Sequence, residues 1–324
     1  MDAKSYYLSL DKETISCPMC NSSDVVYLGT GDRYNMGLQT ESCNSCGLIF
    51  INPRPTQTAM NNFYRNHYRS FYESVEQPDI EYVQRGPFQA RAHFVVAALK
   101  EFMTLDDEKK VLDVGCAEGT LLKNLKNTFP KCEFFGLEPN PKFAAFAKGH
   151  AGVNNIYSGT IEEFYSDSKS NQFDVITITH VLEHMPYPVE TLILLKKLLK
   201  PEGLIYVEVP NVLDSRVKGL GHIHLAHLIS FYPKTFHSCM QRAGFNVLNF
   251  CLEGLPALCP SIAIIATPSE KVEDLLSLSI EEIKQYQETY QKQVFNAQKI
   301  NHKKSFSQRL RNKLSALKSK LISK

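Results

Sequence analysis

The chain has 324 residues, 43% of them hydrophobic and 22% charged, a length that predicts about two domains and a composition that excludes a disordered or fibrous protein. No stretch approaches the ~20 apolar residues that cross a bilayer, and residues 1–10 lack the apolar core of a secretory signal, so a cytoplasmic protein is expected. The formal charge is +2, but residues 301–324 carry eight Lys or Arg and no acid, which leaves the first 300 residues at −6 and excludes a nucleic-acid binder with a basic face.

Residues 1–56 are marked by cysteines. Cys17-Pro18-Met19-Cys20 and Cys43-Asn44-Ser45-Cys46-Gly47 stand 22 residues apart. Two C-x-x-C knuckles at such spacing enclose one tetrahedral Zn²⁺, with Gly47 easing the second turn. Four sulfurs leave no open position, so this zinc is expected to be structural. In a reducing compartment the other five cysteines read as ordinary thiols.

Residues 57–105 read as a helical linker or lid, with Phe63, Tyr64, Tyr68, Phe71 and Tyr72 close together. Residues 106–268 alternate strand and helix signals. Strands are expected at Lys110–Gly115, Glu133–Leu137, Phe173–Thr179 and Leu204–Val209. Helices are expected at Thr120–Thr128, through Phe143 and Phe146, and at Val189–Leu199, the last stopped by Pro201 and Gly203. The alternation predicts an α/β fold with a doubly wound parallel sheet. Asn246–Leu252 and Ser261–Thr267 have no helix between them and predict an antiparallel pair at one sheet edge.

The sequence Val111-Leu112-Asp113-Val114-Gly115-Cys116-Ala117-Glu118-Gly119 occupies the first strand-to-helix turn, where glycines let the backbone turn sharply and approach a ligand. Asp113 sits at the strand end, positioned to take hydrogen bonds from a ligand or to brace the loop. Glu138 ends the second strand, placed to accept both hydroxyls of a ribose.

With Gly136-Leu137-Glu138-Pro139, Phe173-Asp174-Val175-Ile176 and Leu199-Lys200-Pro201-Glu202-Gly203, these segments resemble the successive motifs of class I S-adenosylmethionine methyltransferases. The resemblance covers about 160 residues in order. It implies a seven-stranded Rossmann-like sheet and S-adenosylmethionine held by Asp113, Gly115, Cys116, Gly119, Glu138, Thr160, Ile161, Thr179 and His180. Ala117 stands where the family usually has glycine. The cysteine module, Asn52-Pro53-Arg54-Pro55 and Phe63-Tyr64 ahead of such a domain resemble a subgroup that includes sugar C-methyltransferases, over most of residues 17–265.

Methyl transfer needs an aligned acceptor and often a base. His180 and His184 flank Val181-Leu182-Glu183 after the Phe173 strand, and His222, His224 and His227 cluster in an expected substrate loop, 212–234. His227, in a segment ending Ser230-Phe231-Tyr232-Pro233, resembles the deprotonating histidine of the subgroup's C-methylating members. It is the first candidate base, with His180 and His184 next, then Tyr64 and Tyr68. His180-Val181-Leu182-Glu183-His184 also resembles the Glu-x-x-Glu-His stretch of ubiquinone-pathway O-methyltransferases, whose acids can hold a divalent metal; the first acid is His180 here.

Residues 269–324 read as a helical, increasingly basic tail. Ser279-Ile280-Glu281-Glu282 is a capping box. Phe306, Leu310, Leu314, Leu317 and Leu321 form a stripe on a basic helix that suits either peripheral contact with the inner face of an anionic membrane or packing on another subunit. The expected function is methyl transfer to a small polar acceptor, a sugar or glycan-pathway intermediate. The alternatives are an O-methyltransferase on a phenolic, quinone-like or lipid-like acceptor, and a catalytically silent scaffold that binds partners through its zinc module.

Overall fold

The computed structural model describes residues 3–104, 108–167, 170–251, 260–270 and 277–296. An N-terminal helix, α1 (Ala3–Ser9), leads into a small strand pair, β1 (Lys12–Glu13) with β5 (Arg54–Pro55). Between them β2 (Val25–Thr30), β3 (Gln39–Cys43) and β4 (Ile49–Ile51) form antiparallel ladders. Four helices follow: α2 (Gln57–Asn66), α3 (Tyr68–Glu73), α4 (Ile80–Arg85) and α5 (Phe88–Leu99). Thr56 caps α2 by accepting the Ala59 amide, and Asp79 caps α4 by accepting that of Tyr82.

The large sheet is built from β6 (Lys110–Val114), β7 (Glu133–Glu138), β8 (Asn155–Ser158), β9 (Phe173–Thr179), β10 (Leu199–Pro210), β12 (Phe245–Cys251) and β13 (Ser261–Pro268). Its order is β12-β13-β10-β9-β6-β7-β8. The five strands β8, β7, β6, β9 and β10 run parallel, while β13 pairs antiparallel with β10 and β12 with β13. The expected seven-stranded sheet and its antiparallel edge pair are therefore both present. The helices between strands are α6 (Thr120–Thr128), α7 (Pro141–Ala151), α8 (Ile161–Asp167), α9 (Pro188–Leu198) and α10 (Pro233–Arg242). Helix α7 shows the local logic. Asn140 accepts the amides of Lys142 and Phe143, Pro141 opens the first turn, and Gly152 ends the helix at φ 63°. Central strands β9 and β10 are buried along nearly their whole length, as apolar runs covered on both faces must be.

Helix α9 ends at Leu198, one residue short of the expected end and before Pro201 and Gly203, and β10 begins at Leu199 with an irregular register up to Leu204. The cysteine-bearing ladder is joined to the loop after β10. A short strand in the loop after β10, β11 (Ile229–Ser230), pairs antiparallel with β4, and the Ile51 amide donates to the Leu228 carbonyl at 2.9 Å. The last helix, α11 (Ile280–Tyr290), begins at the expected capping box and closes against the same region: Gln287 donates to Ser42 and Asn44. The stripe from Phe306 to Leu321 lies outside the described residues. No helix among the described residues is long and apolar enough to cross a membrane.

Candidate active site

Strands β7 and β8 lie to one side of β6, and β9 and β10 to the other. The strand order thus reverses between β6 and β9, and in open α/β sheets that switch point opens a crevice beyond the carboxyl ends. A cavity of about 330 Å³ lies there. It is lined by Asp113, Gly115, Cys116, Ala117 and Glu118 from the first loop, and by Glu138, Thr160, Ile161, Thr179 and His180. Of the nine residues expected to hold the cofactor, eight line it directly; Gly119 stands behind as the N-cap of α6. Gly119 has φ 84°, and a Cβ there would meet the Cα and carbonyl of Ala147 at 3.2 and 3.3 Å, so glycine is what lets α6 approach α7. Ala117 has φ 48°, left-handed backbone that explains the usual glycine at this position.

The two acids divide their work. Asp113 accepts the Thr177 hydroxyl at 2.7 Å, bracing β6 against β9. Burial, with the charges of Glu118 and Glu138 adding to it, pushes its carboxyl up to about 7 despite that bond. Glu138 accepts the Ala117 amide at 3.1 Å and the Asn140 amide at 2.9 Å, so it ties the glycine loop to the next helix. Burial raises its pKa, opposed by Arg69, whose guanidinium stands 4.0 Å away and packs over Phe143. Arg69 belongs to α3, which with α2 covers this side of the cavity. Arg65 pairs with Glu163, and Asn140 donates to the Arg65 carbonyl.

The opposite end of the cavity carries the titratable cluster. Glu183 is 1% exposed and sits in a 3-10 turn after β9. His180 Nδ1, His184 Nε2 and His227 Nε2 face it at 3.6, 3.6 and 3.9 Å. His180, at φ 53°, places its other nitrogen 3.2 Å from Glu208, a buried carboxylate that also accepts Ser261 and Tyr206 hydroxyls. Burial pulls His180 down, but the two carboxylates win and its pKa ends above the ordinary value. Burial lowers His184, and drives His227 down to about 3. Glu183 is held at about 2 against its own burial. What holds Glu183 ionised against that burial is first His184, then His180 and His227.

Of the three loop histidines only His227 lines the cavity. His222 turns to the Tyr290 hydroxyl at 3.1 Å, and His224 packs on Tyr72 with ring centroids 4.8 Å apart. Tyr64 and Tyr68 form an aromatic wall with Met60 and Met185, and the Tyr64 hydroxyl meets His184 Nδ1 at 2.8 Å. Sequence reasoning passed over Arg54, Arg69 and Glu208, and saw Glu183 only as the second acid of the Glu-x-x-Glu-His stretch. A charged residue inside the apolar run Leu204–Val209 was the one available signal for Glu208. Arg54 is 1% exposed, pairs with Glu13, donates to the Pro186 carbonyl and lies over Tyr187, so it pins the turn that follows the cluster.

The four module cysteines converge. Cys17 and Cys46 sulfurs are 3.5 Å apart, as are those of Cys20 and Cys43, and all four lie within 4.8 Å of one another. A tetrahedral zinc with Zn–S near 2.3 Å separates its sulfurs by roughly 3.8 Å. Both knuckles close alike. The Asn21 amide donates to the Cys17 carbonyl and the Gly47 amide to that of Cys43, each at 2.9 Å, with φ 60° and 76°. The donor set fits a closed zinc site.

A family profile described as "Methyltransferase domain" matches residues 88–249. A ubiquinone biosynthesis O-methyltransferase of Neisseria meningitidis serogroup A is 29% identical over 138 residues, covering 40% of this chain and 55% of that protein. The enzyme of the same name from Nitrosococcus oceani is 34% identical over 106 residues, covering 32% and 44%. The chain thus spans about half the length of the curated relatives it matches. A solved S-adenosylmethionine-dependent methyltransferase from Aquifex aeolicus aligns with 59% of this chain and 100% of its own, at 19% identity and a TM-score of 0.47.

Proposed function

The chain belongs to the methyltransferase-domain family, whose profile spans 162 of its 324 residues, and on that premise we propose that it moves the methyl group of S-adenosylmethionine onto an oxygen of a phenolic or quinone-like acceptor. The observation that carries this reading is one cavity lined at one end by the glycine loop and Glu138 and at the other by Tyr64, Tyr68, Glu183, His184 and His227. The first end supplies what a nucleoside with a charged methionine tail requires. The second supplies flat aromatic walls for a planar ring, with proton-accepting groups behind it. In the transfer a lone pair of the acceptor oxygen attacks the methyl carbon. The carbon–sulfur bond breaks with its electrons going to sulfur, and the acceptor's proton is taken up at the Glu183–His184–His227 cluster. Alignment of oxygen, carbon and sulfur by the walls supplies the proximity term of the rate.

The sugar acceptor expected from the cysteine module has less support. Both curated relatives reported above are named as O-methyltransferases. The module itself is read as a structural zinc site. It holds the loop that carries His227, through β4–β11 and through the Arg33 amide on the Ile223 carbonyl at 2.8 Å. The test is turnover against a matched panel of phenols, catechols, hydroquinones and nucleotide sugars, followed by release of S-adenosylhomocysteine. Product formation only with the sugars would reverse the acceptor assignment.

A further inference from the structure

Glu208 is a charge in the middle of a covered sheet. It stands on β10 opposite Thr179 of β9 and Ala263 of β13, and it is 1% exposed. A carboxylate so placed is costly unless donors replace the water it gave up. Glu208 has three: the Ser261 hydroxyl at 2.7 Å, the Tyr206 hydroxyl at 2.9 Å and His180 Nε2 at 3.2 Å. Burial would raise its pKa, yet His180 first and then Ser261 hold it down to about 2. Of these partners only His180 lines the cavity, and Glu208 itself does not. His180 is held by Glu208 twice, because its amide also donates to the Glu208 carbonyl at 2.8 Å. Its φ is 53°, and left-handed backbone in a non-glycine residue persists where the surroundings over-determine it. On the other side of the ring Nδ1 faces Glu183 at 3.6 Å. A carboxylate oxygen only accepts, so an imidazole set between two carboxylates carries a proton on both nitrogens. Burial, and then the Arg91 cation of α5 at the same cavity wall, oppose that second proton, so the ring depends on both acids to keep it.

We propose that Glu208 is a positioning residue for methyl transfer, acting through the His180 ring to hold the Glu183 carboxylate in place at the acceptor end of the cavity. The line from Glu208 through His180 to Glu183 runs from the sheet interior to the cavity wall in two steps, 3.2 and 3.6 Å. Neither Glu183 oxygen has a hydrogen-bond partner, so the rings that face it set its orientation. Those rings are anchored differently. His184 and His227 donate from Nδ1 to the Ala226 and His222 carbonyls, each at 2.9 Å, and so are tied to the loop after β10. His180 is tied to the sheet itself, and a group referenced to a strand is placed more precisely than one referenced to a loop. With both ring nitrogens engaged, His180 supports the cluster and is not the base expected from sequence. A glutamine at 208 keeps the volume but brings no charge, so burial and Arg91 then leave the ring a single proton. The part played in turnover rests on proton uptake at Glu183, His184 and His227 as proposed above; the pairing of Glu208 with His180 does not.

The experiment uses the full chain at saturating S-adenosylmethionine, with whichever acceptor of the panel it turns over fastest, phenol or nucleotide sugar. Glu208→Gln should lower kcat by about 10²-fold, the lower edge of what the loss of a general base costs, and leave the Kd of S-adenosylhomocysteine unchanged in calorimetry. Glu208→Asp keeps the charge and should recover most of that loss. His180→Asn, a side chain that tolerates left-handed backbone, should lose as much as Glu208→Gln. The double variant should be no slower than the slower single one, because the two side chains act as a unit. Nitrogen-15 NMR of the histidine rings at neutral pH needs no acceptor: both His180 nitrogens should be protonated in the wild type and one in Glu208→Gln. Full kcat in Glu208→Gln, losses that multiply in the double variant, or a wild-type His180 with one bare nitrogen overturns the proposal. Weakened S-adenosylhomocysteine binding in both Glu208 variants would mark a structural role alone and overturn it too. If Glu208→Gln does not fold, the wild-type ring spectrum and His180→Asn still decide. An imidazolium lost in Glu208→Gln, with the kcat loss seen on a nucleotide sugar and no phenol turned over, upholds the proposal and removes the acceptor reading. Turnover of a phenol by a wild type whose His180 is neutral does the reverse.

Discussion

Replacing Glu138 by Gln probes the cofactor end at its most informative atom. The carboxylate is 3% exposed, and its two oxygens already accept the Ala117 and Asn140 amides at 3.1 and 2.9 Å. Each oxygen has a second lone pair free for a ribose hydroxyl. Gln keeps the shape and one acceptor but puts an NH₂ where the other oxygen stood. One ribose bond to a charged acceptor is lost, worth about 1.5–3 kcal/mol, or roughly ten- to a hundred-fold in Kd. The NH₂ also faces a backbone N–H, so an orphaned donor should lower stability by about 1–3 kcal/mol. Calorimetry with S-adenosylhomocysteine and with its 2′,3′-dideoxy analogue separates the two effects. The variant should weaken the first ligand and bind the second as the wild type does. An unchanged Kd for S-adenosylhomocysteine, or an equal loss for both ligands, refutes the ribose assignment.

Ala117→Gly should relieve a left-handed alanine, gaining up to about 1 kcal/mol against the entropy glycine adds to the unfolded chain, and should shift Tm upward by no more than a few degrees; a fall in Tm would contradict the strain reading. Cys43→Ser should lose the closed-site metal and, because β4 holds the loop of His227, lower kcat along with stability although the cysteine lies outside the cavity; full activity in a metal-free module would sever that link. Asp113 has a folded pKa raised to about 7, so its stabilisation is complete below the ordinary carboxylate range and is lost as pH rises through 7. Asp113→Asn keeps the acceptor for Thr177, so its melting temperature relative to wild type should climb between about pH 4 and 7 and level off above 7 in the cofactor-free protein; a flat difference across that window would show that the carboxylate is not strained by burial. For the tail, truncation after Ile300 should abolish salt-sensitive co-sedimentation with anionic vesicles; vesicle binding that survives truncation would place the membrane contact elsewhere.

The cofactor end was legible because its chemistry is local. A glycine loop at a strand end and an acid closing the next strand, Asp113 to Glu138, are separated by one helix, so spacing alone sets them at the same sheet edge. The acceptor end is assembled from afar. Glu183 was legible only as the second acid of a Glu-x-x-Glu-His stretch, and its burial becomes visible only when β11 brings His227 beside it. His222, His224 and His227 looked equivalent in sequence because proximity along a loop says nothing about which way each ring turns. Arg54 and Glu208 were invisible for a similar reason: each is a charge buried by partners remote in the chain, Glu13 and Pro186 for one, His180 and Ser261 for the other.

The central claim is methyl transfer to oxygen, and the most direct measurement is carbon-13 NMR of the product formed from S-adenosylmethionine labelled at its methyl carbon, with the best phenolic or hydroquinone acceptor of the panel. The account predicts a single methoxy resonance appearing as S-adenosylhomocysteine accumulates, and its loss in Glu138→Gln at low cofactor concentration. A label that arrives on carbon or nitrogen, or that is transferred to nucleotide sugars and to none of the phenols or hydroquinones, would contradict it.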